Sequence, residues 1–228
     1  MTAMDLGPTS ELADAAAGLY GEPDVPSTVR SVLDYALTLT GGDGVAVMLR
    51  QGGRPAVLSA SSPAAERADR AQLSCAEGPG LQAMSERDAV VVDDVDDDPR
   101  WRGWSRPVRE LGFRSVLSLS LGTTRSSVGA LSVYSAKVGA FDGERAELGR
   151  CYAQHASVAL ASARHTSGLR RAMDERHAIG QAQGVLMERH GIDAAQAFAL
   201  LRSSARDHGV KLSERAEQII ASRPADVG

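Results

Sequence analysis

The side chains best placed to do chemistry in this sequence are cations near its C-terminus. Arg202, Arg206, Lys211 and Arg215 fall on the outward sides of two consecutive amphipathic segments. Guanidinium and ammonium groups spaced in this way can clamp the phosphates of a nucleic-acid loop. A solvated charged face carries the same pattern, so both readings stand at this point. A second group, Trp101, Trp104, Phe113, Ser118 and Ser120, lies in or beside a strand-rich region. Aromatic faces with hydroxyls suit a small-ligand cavity, and they equally suit a filled core.

Other chemistries are poorly supported. The run Asp93, Asp94, Asp96, Asp97, Asp98 lacks the alternation and glycine of a calcium loop. Read as a phosphoacceptor pair, it leaves only Lys211 as the late lysine, so these carboxylates are expected to cap a helix entering at Trp101 or to face solvent. Cys75 and Cys151 match no metal-ligand spacing, and Cys75 reads as a small buried hydrophobe. His177, His190 and His208 read as surface or capping residues. No serine–histidine–acid set, phosphate loop or metal cluster stands out, so no enzyme is expected.

Composition bounds the rest. The chain has 228 residues, 43% of them apolar, and a formal net charge of -4, enough for one or two cores and without a chain-wide basic field. Residues 169–228 hold nine Lys or Arg and eight Asp or Glu, against sixteen and twenty-one before them, so the acidic balance sits in the first part. Arg outnumbers Lys 23 to 2, which tracks a GC-rich coding bias and argues for nothing functional. No signal peptide or membrane-spanning run is visible, which points to the cytoplasm and away from membranes.

The elements that must position these residues change type along the chain. Prolines crowd the first half and then stop until Pro224. Strands are expected over 45–50, 56–60, 89–92, 115–121 and 128–134, with Gly52-Gly53 as a hairpin turn. In the clearest, Leu117, Leu119 and Leu121 alternate with Val116, Ser118 and Ser120, giving one apolar and one more polar face. Helices are expected over 27–39 and 106–111. From an N-cap at Asp142, the spacing of Leu148, Tyr152, His155, Val158 and Ser162, interrupted at Thr166–Gly168 and resumed through Leu169 and Met173 to Met187, predicts one long, hinged helix ending at Gly191. Its stripe fits a weak coiled coil or an ordinary packed helix pair. Gly180 and Gly184 read as points of close helix approach. Asp193 with Gln196 has capping-box spacing, with Ala197, Phe198, Leu201 and Ala205 as a buried stripe, and Ser213 is expected to cap a last helix.

Residues Arg176-x-x-Ile179-x-x-Ala182-Gln183-Gly184-x-Leu186-Met187-x-Arg189, then Ala197-Phe198-x-x-Leu201-Arg202-x-x-Ala205, then Lys211-Leu212 with Ala216, resemble the ANTAR domain, a three-helix RNA-binding module of antitermination regulators. The resemblance implies RNA contacts by Arg202, Arg206, Lys211 and Arg215, with Gln183 and Arg189 beside them. Gln183 stands where that family usually has lysine, which removes a charge.

The first part resembles GAF domains through Glu77-Gly78-Pro79-Gly80, Val90–Asp94 with Asp98-Pro99-Arg100-Trp101, Leu111–Ser118, and Val128–Tyr134 with Phe141. This implies an α+β fold: an antiparallel sheet with flanking helices over 20–165, a long connecting helix, and a three-helix bundle over 166–224, between an N-terminal segment 1–19 and a tail 225–228. It also implies a small ligand of unknown identity, with Trp101, Trp104, Phe113, Ser118 and Ser120 as candidate lining and no cofactor or metal assigned. No histidine precedes His155 and the chain has no asparagine, which argues against haem and against the cyclic-nucleotide signature. The combined expectation is a non-enzymatic regulator that dimerises and binds paired RNA hairpins. The alternative is a dimerising scaffold whose last helices bind protein or DNA.

Overall fold

A computed structural model describes residues 8–20, 22, 24–123 and 126–222, with the side chains of all these except 8–12. The tail 225–228 and the first seven residues of the N-terminal segment lie outside the described residues. The chain divides into two compact units, Met1–Arg164 and His165–Gly228.

The first unit is a five-stranded antiparallel sheet between two helical layers. Its strands are β1 (Gly44–Gln51), β2 (Arg54–Ala60), β3 (Ala89–Val92), β4 (Ser115–Gly122) and β5 (Ser127–Ser135), in the order β2-β1-β5-β4-β3. All five match the expected segments, which are short apolar or alternating runs bounded by turn residues. Gly52 and Gly53, at φ 57° and 85°, form the β1–β2 turn, a conformation side chains with a Cβ rarely adopt.

Alternation sorts the side chains into two cores. Val45, Val47, Leu49, Leu117, Leu119, Leu121, Leu131 and Val133 face α1 (Pro8–Leu19), α2 (Val25–Thr40) and the first part of α6 (Gly143–His190). Ala46, Val90, Val92, Val116 and Tyr134 face α3 (Pro63–Cys75) and α5 (Arg102–Glu110), while Met48 and Ala130 pack with Met84 of α4 (Pro79–Glu86). The expected polar face of β4 is therefore a buried one. Val116 and Ser118 are fully enclosed, since helices cover both sides of this inner strand. Helix α5 begins at Arg102, earlier than expected.

Helix α6 starts where expected: Asp142 Oδ1 accepts from the Arg145 N–H at 2.9 Å, and Gly191, at φ 64°, ends it with its N–H on the Met187 carbonyl. The expected break at Thr166–Gly168 is absent, and the helix is continuous through it. Two hydroxyl residues and one glycine disfavour a helix by only about 1–2 kcal/mol together, which flanking turns on both sides offset. A Cβ built at Gly180 or Gly184 meets open space, so neither glycine serves a close approach within this chain.

The second unit packs the end of α6 against α7 (Ala194–Asp207) and α8 (Leu212–Ala221). Its core is Ala182, Val185, Leu186, Ala197, Leu201, Ala216 and Ile219. The capping box forms in full between Asp193 and Gln196. Two expectations need correction. Phe198 is 36% exposed, because one residue past Ala197 turns it about 100° away from the centre of the stripe. Helix α8 has Lys211 at its N-cap, without a side-chain cap, and Ser213 lies inside the first turn.

Candidate nucleic-acid interface and sensor core

On the bundle, the structure divides the candidate cations into two groups. Arg202, Arg206 and Lys211 are exposed, the first two on the flank of α7 away from Ser204. Arg215 is half-buried: its Nε donates to Ser204 Oγ at 2.8 Å and its Nη1 to Gln218 Oε1 at 2.8 Å. Arg189 reaches the Ser222 carbonyl with Nη2 at 3.4 Å. Gln183, also half-buried, donates from Nε2 to the Ala194 carbonyl at 3.2 Å, joining α6 to the first turn of α7. Arg189 and Arg215 line one groove with His190, Leu200, Ser204 and Gln218.

None of Arg189, Arg202, Arg206, Lys211 and Arg215 makes an ion pair among the described residues. The first unit behaves differently. There Arg100 pairs with Asp98, Arg114 with Asp94 and Asp96, Arg109 with Asp96, and Arg150 with Asp88 and Glu147. Three carboxylates of the acidic run, Asp94, Asp96 and Asp98, are thus paired with nearby arginines. The Arg100 guanidinium, followed by the Arg100 backbone N–H, holds the Asp98 carboxyl below the usual range. The backbone N–H of Asp96, aided by Arg114, does the same for Asp94.

The expected cap of α5 by this run does not form. Glu77 supplies it instead: its Oε1 accepts from the N–H groups of Gly103 at 2.7 Å and Trp104 at 3.1 Å. A carboxylate from a distant turn thereby satisfies two open donors at a helix N-terminus.

In the core between the sheet and helices α3 and α5, Trp101, Trp104 and Phe113 are 6%, 0% and 5% exposed. The two indoles meet edge to face at 5.9 Å, Trp104 Nε1 donates to the Ala68 carbonyl at 3.2 Å, and Arg100 stacks on Trp101 at 4.2 Å. Phe113 lies 5.0 Å from Tyr134. Ser118 Oγ bonds Ser132 Oγ at 3.0 Å, and Ser120 Oγ bonds Ser127 Oγ at 3.2 Å. Ser120 also borders a separate concavity of about 130 Å³ with Arg87, Asp88, Arg150, Gln154 and Ser157. The five candidate residues are therefore core-packed, and Ser120 opens elsewhere.

Beside them lies a buried polar cluster that the sequence reading missed. Asp69 Oδ1 accepts from Tyr134 OH at 2.5 Å and from Gln72 Nε2 at 2.8 Å. Gln72 Oε1 accepts from Gly80 N–H at 2.7 Å. A Cβ at Gly78 would lie 2.5 Å from Gln72 Oε1, so the Glu77–Gly80 motif fits round this amide. Asp69 Oδ2 has no partner. Burial raises the Asp69 carboxyl to about 6, against the lowering effect of Tyr134, Ser132 and Gln72, and burial, followed by the neighbouring Asp69, raises the Tyr134 phenol well above its ordinary value. The signal was present: Ala65, Ala68, Asp69 and Gln72 fall at helical spacing on one face.

Two family comparisons decide the assignment. The GAF domain family matches residues 22–161 and the ANTAR domain family matches residues 167–220. The chain belongs to the GAF–ANTAR family. No curated protein matches it. Its GAF fold is shared with free methionine-R-sulfoxide reductase from Neisseria meningitidis, at 17% identity over 72% of this chain and 95% of that one, with a TM-score of 0.56. The GAF domain of an Acinetobacter phosphoenolpyruvate-protein phosphotransferase aligns at 12% identity over 74% and 99%, TM-score 0.56. The Stigmatella aurantiaca phytochrome photosensory core module aligns at 13% identity over 87% of this chain and 44% of its own, TM-score 0.60. At these identities the GAF domain shares a fold with all three and nothing more is carried over.

The ANTAR domain is the helical part that carries Arg189, Arg202, Arg206, Lys211 and Arg215. In the GAF domain, Cys75 is exposed at the end of α3, contrary to the expected buried position. Cys151 lies on α6, in the helical layer on the other face of the sheet. No described helix is long and apolar enough to cross a membrane.

Proposed function

We propose that this GAF–ANTAR protein is a non-enzymatic antitermination regulator that acts as a homodimer in the cytoplasm and binds paired RNA hairpins through its bundle. The observation that carries the reading is electrostatic. Five cations, Arg189, Arg202, Arg206, Lys211 and Arg215, lie together on one small bundle and lack acidic partners among the described residues, whereas in the first unit Arg100, Arg114 and Arg150 are paired. Unpaired guanidinium groups on a small bundle suit phosphate oxygens, and RNA hairpins present these beside unstacked loop bases. The dimer reading rests on α6, where Leu169 and Met173, four residues apart, are 55% and 70% exposed. A second copy of the same helix would cover them.

The GAF domain would sense a small ligand, and because Trp101, Trp104, Phe113 and Ser118 are packed in the core, a ligand reaching them would have to open that packing, while Ser120 borders a separate concavity. The chain's two tryptophans both sit in that core, so intrinsic fluorescence during a metabolite screen would report any ligand that loosens its packing. Titration of the full chain with two-hairpin RNA, shuffled RNA and duplex DNA tests the main reading. Preference for two-hairpin RNA, with a steep salt dependence, is expected. Equal weak binding to all three would leave the dimerising scaffold that binds protein or DNA.

A further inference from the structure

A groove of about 370 Å³ opens between the last turn of α6, the middle of α7 and the second half of α8, within the size range of small-ligand pockets. Its floor is apolar, made by Leu186 and Ile219 at 5% and 7% exposure, and its lip is Leu200 at 41%. Two arginines flank it, both held by neutral acceptors: Arg189 by the Ser222 carbonyl, Arg215 by Ser204 and Gln218. A guanidinium has five N–H donors. Arg215 uses two on these partners and Arg189 one, so each is oriented while its charge and remaining donors stay uncommitted.

An apolar slot walled by two oriented cations, with the amide of Gln218 at its edge, matches the parts of one nucleotide. The base has flat apolar faces, its edge carries donors and acceptors, and its phosphate is anionic. We infer that this groove receives a single unstacked nucleotide of the RNA loop, with its base against Leu186 and Leu200 and its phosphate on Arg189 and Arg215. The inference rests on the RNA reading proposed above. Arg202 and Arg206, on the other flank of α7, then contribute attraction without reading the base.

The full chain is used to select from a pool of two-hairpin RNAs with randomised loops, and each loop position of a recovered RNA is replaced by an abasic nucleotide. One position should lose roughly tenfold in affinity, the magnitude of a stacked base. That loss should shrink towards unity in Arg189→Ala and in Leu200→Glu, two exposed positions whose fold is checked by thermal melting. Arg202→Ala should weaken binding while leaving the abasic loss intact. If no loop position is sensitive, or if the tenfold loss persists in both groove variants, the groove does not hold the base and the RNA reading survives. If selection recovers no RNA that outcompetes duplex DNA, the RNA reading itself fails, and the groove inference with it.

Discussion

Asp69 is fully buried with one carboxylate oxygen unpartnered, and its proton is held up to about pH 6 against 3.8 in an unperturbed carboxyl. The folded state therefore binds this proton more tightly than the unfolded state. The stabilisation is complete below about pH 3.8 and is lost as pH rises through about 6. A gap of this size is worth on the order of 3 kcal/mol. Asp69→Asn should remove that slope, so that the difference in unfolding free energy between the variant and the native chain grows from pH 4 to pH 7 and then levels. Denaturant titrations across that range check it, and parallel curves would show that Asp69 does not titrate as a buried group. At Gln183, half-buried and bonded to the Ala194 carbonyl, a Gln183→Lys change restores a cation near the first turn of α7. RNA affinity should rise a few-fold at low salt, with a steeper salt slope in filter binding.

At the scale of elements, α5 depends on a cap brought from elsewhere in the chain. Glu77→Ala leaves the Gly103 and Trp104 N–H groups without their acceptor and should cost the GAF domain about 0.5–2 kcal/mol in chemical denaturation. Glu77→Gln, which keeps the oxygen, should recover part of it. That contact could not be read from the sequence, because it joins residues 26 apart and nothing local marks it. The strands, the Asp142 cap and the Asp193 capping box were legible, since each is decided by neighbours along the chain. Helices α3 and α4 were not, because the buried face of α3 is Ala65, Ala68, Asp69 and Gln72 and that of the eight-residue α4 has Met84 as its one large apolar side chain beside Pro79, Gly80 and Ala83, so neither presents a strong apolar stripe. The continuity of α6 through Thr166–Gly168 was not legible for the opposite reason: local propensity there favours a break, and only the helix on either side overrides it. Gly168 is helical and exposed, with nothing within 4 Å of a built Cβ. Gly168→Ala should therefore raise stability by about 1 kcal/mol in thermal melting. A loss instead would reveal a partner packed over that position.

For the molecule as a whole, α6 belongs to both units and owes its order to each of them. Between Gly168 and His177 every residue except Glu175 is exposed, so this stretch is helical with almost no core beneath it. Helix of that length has marginal stability on its own. Cooperativity is interrupted there: heating should melt the chain in two steps, and no single unfolding free energy describes it. Deuterium should enter the backbone amides of 168–177 well before those of Tyr152–Leu160 or Ala182–Leu186, whose side chains reach the two cores. If a second copy covers Leu169 and Met173, the uptake slows as protein concentration rises. A rate independent of concentration would mean that the stretch stays solvated and that its opening sets how independently the two units respond to heat, denaturant and protease.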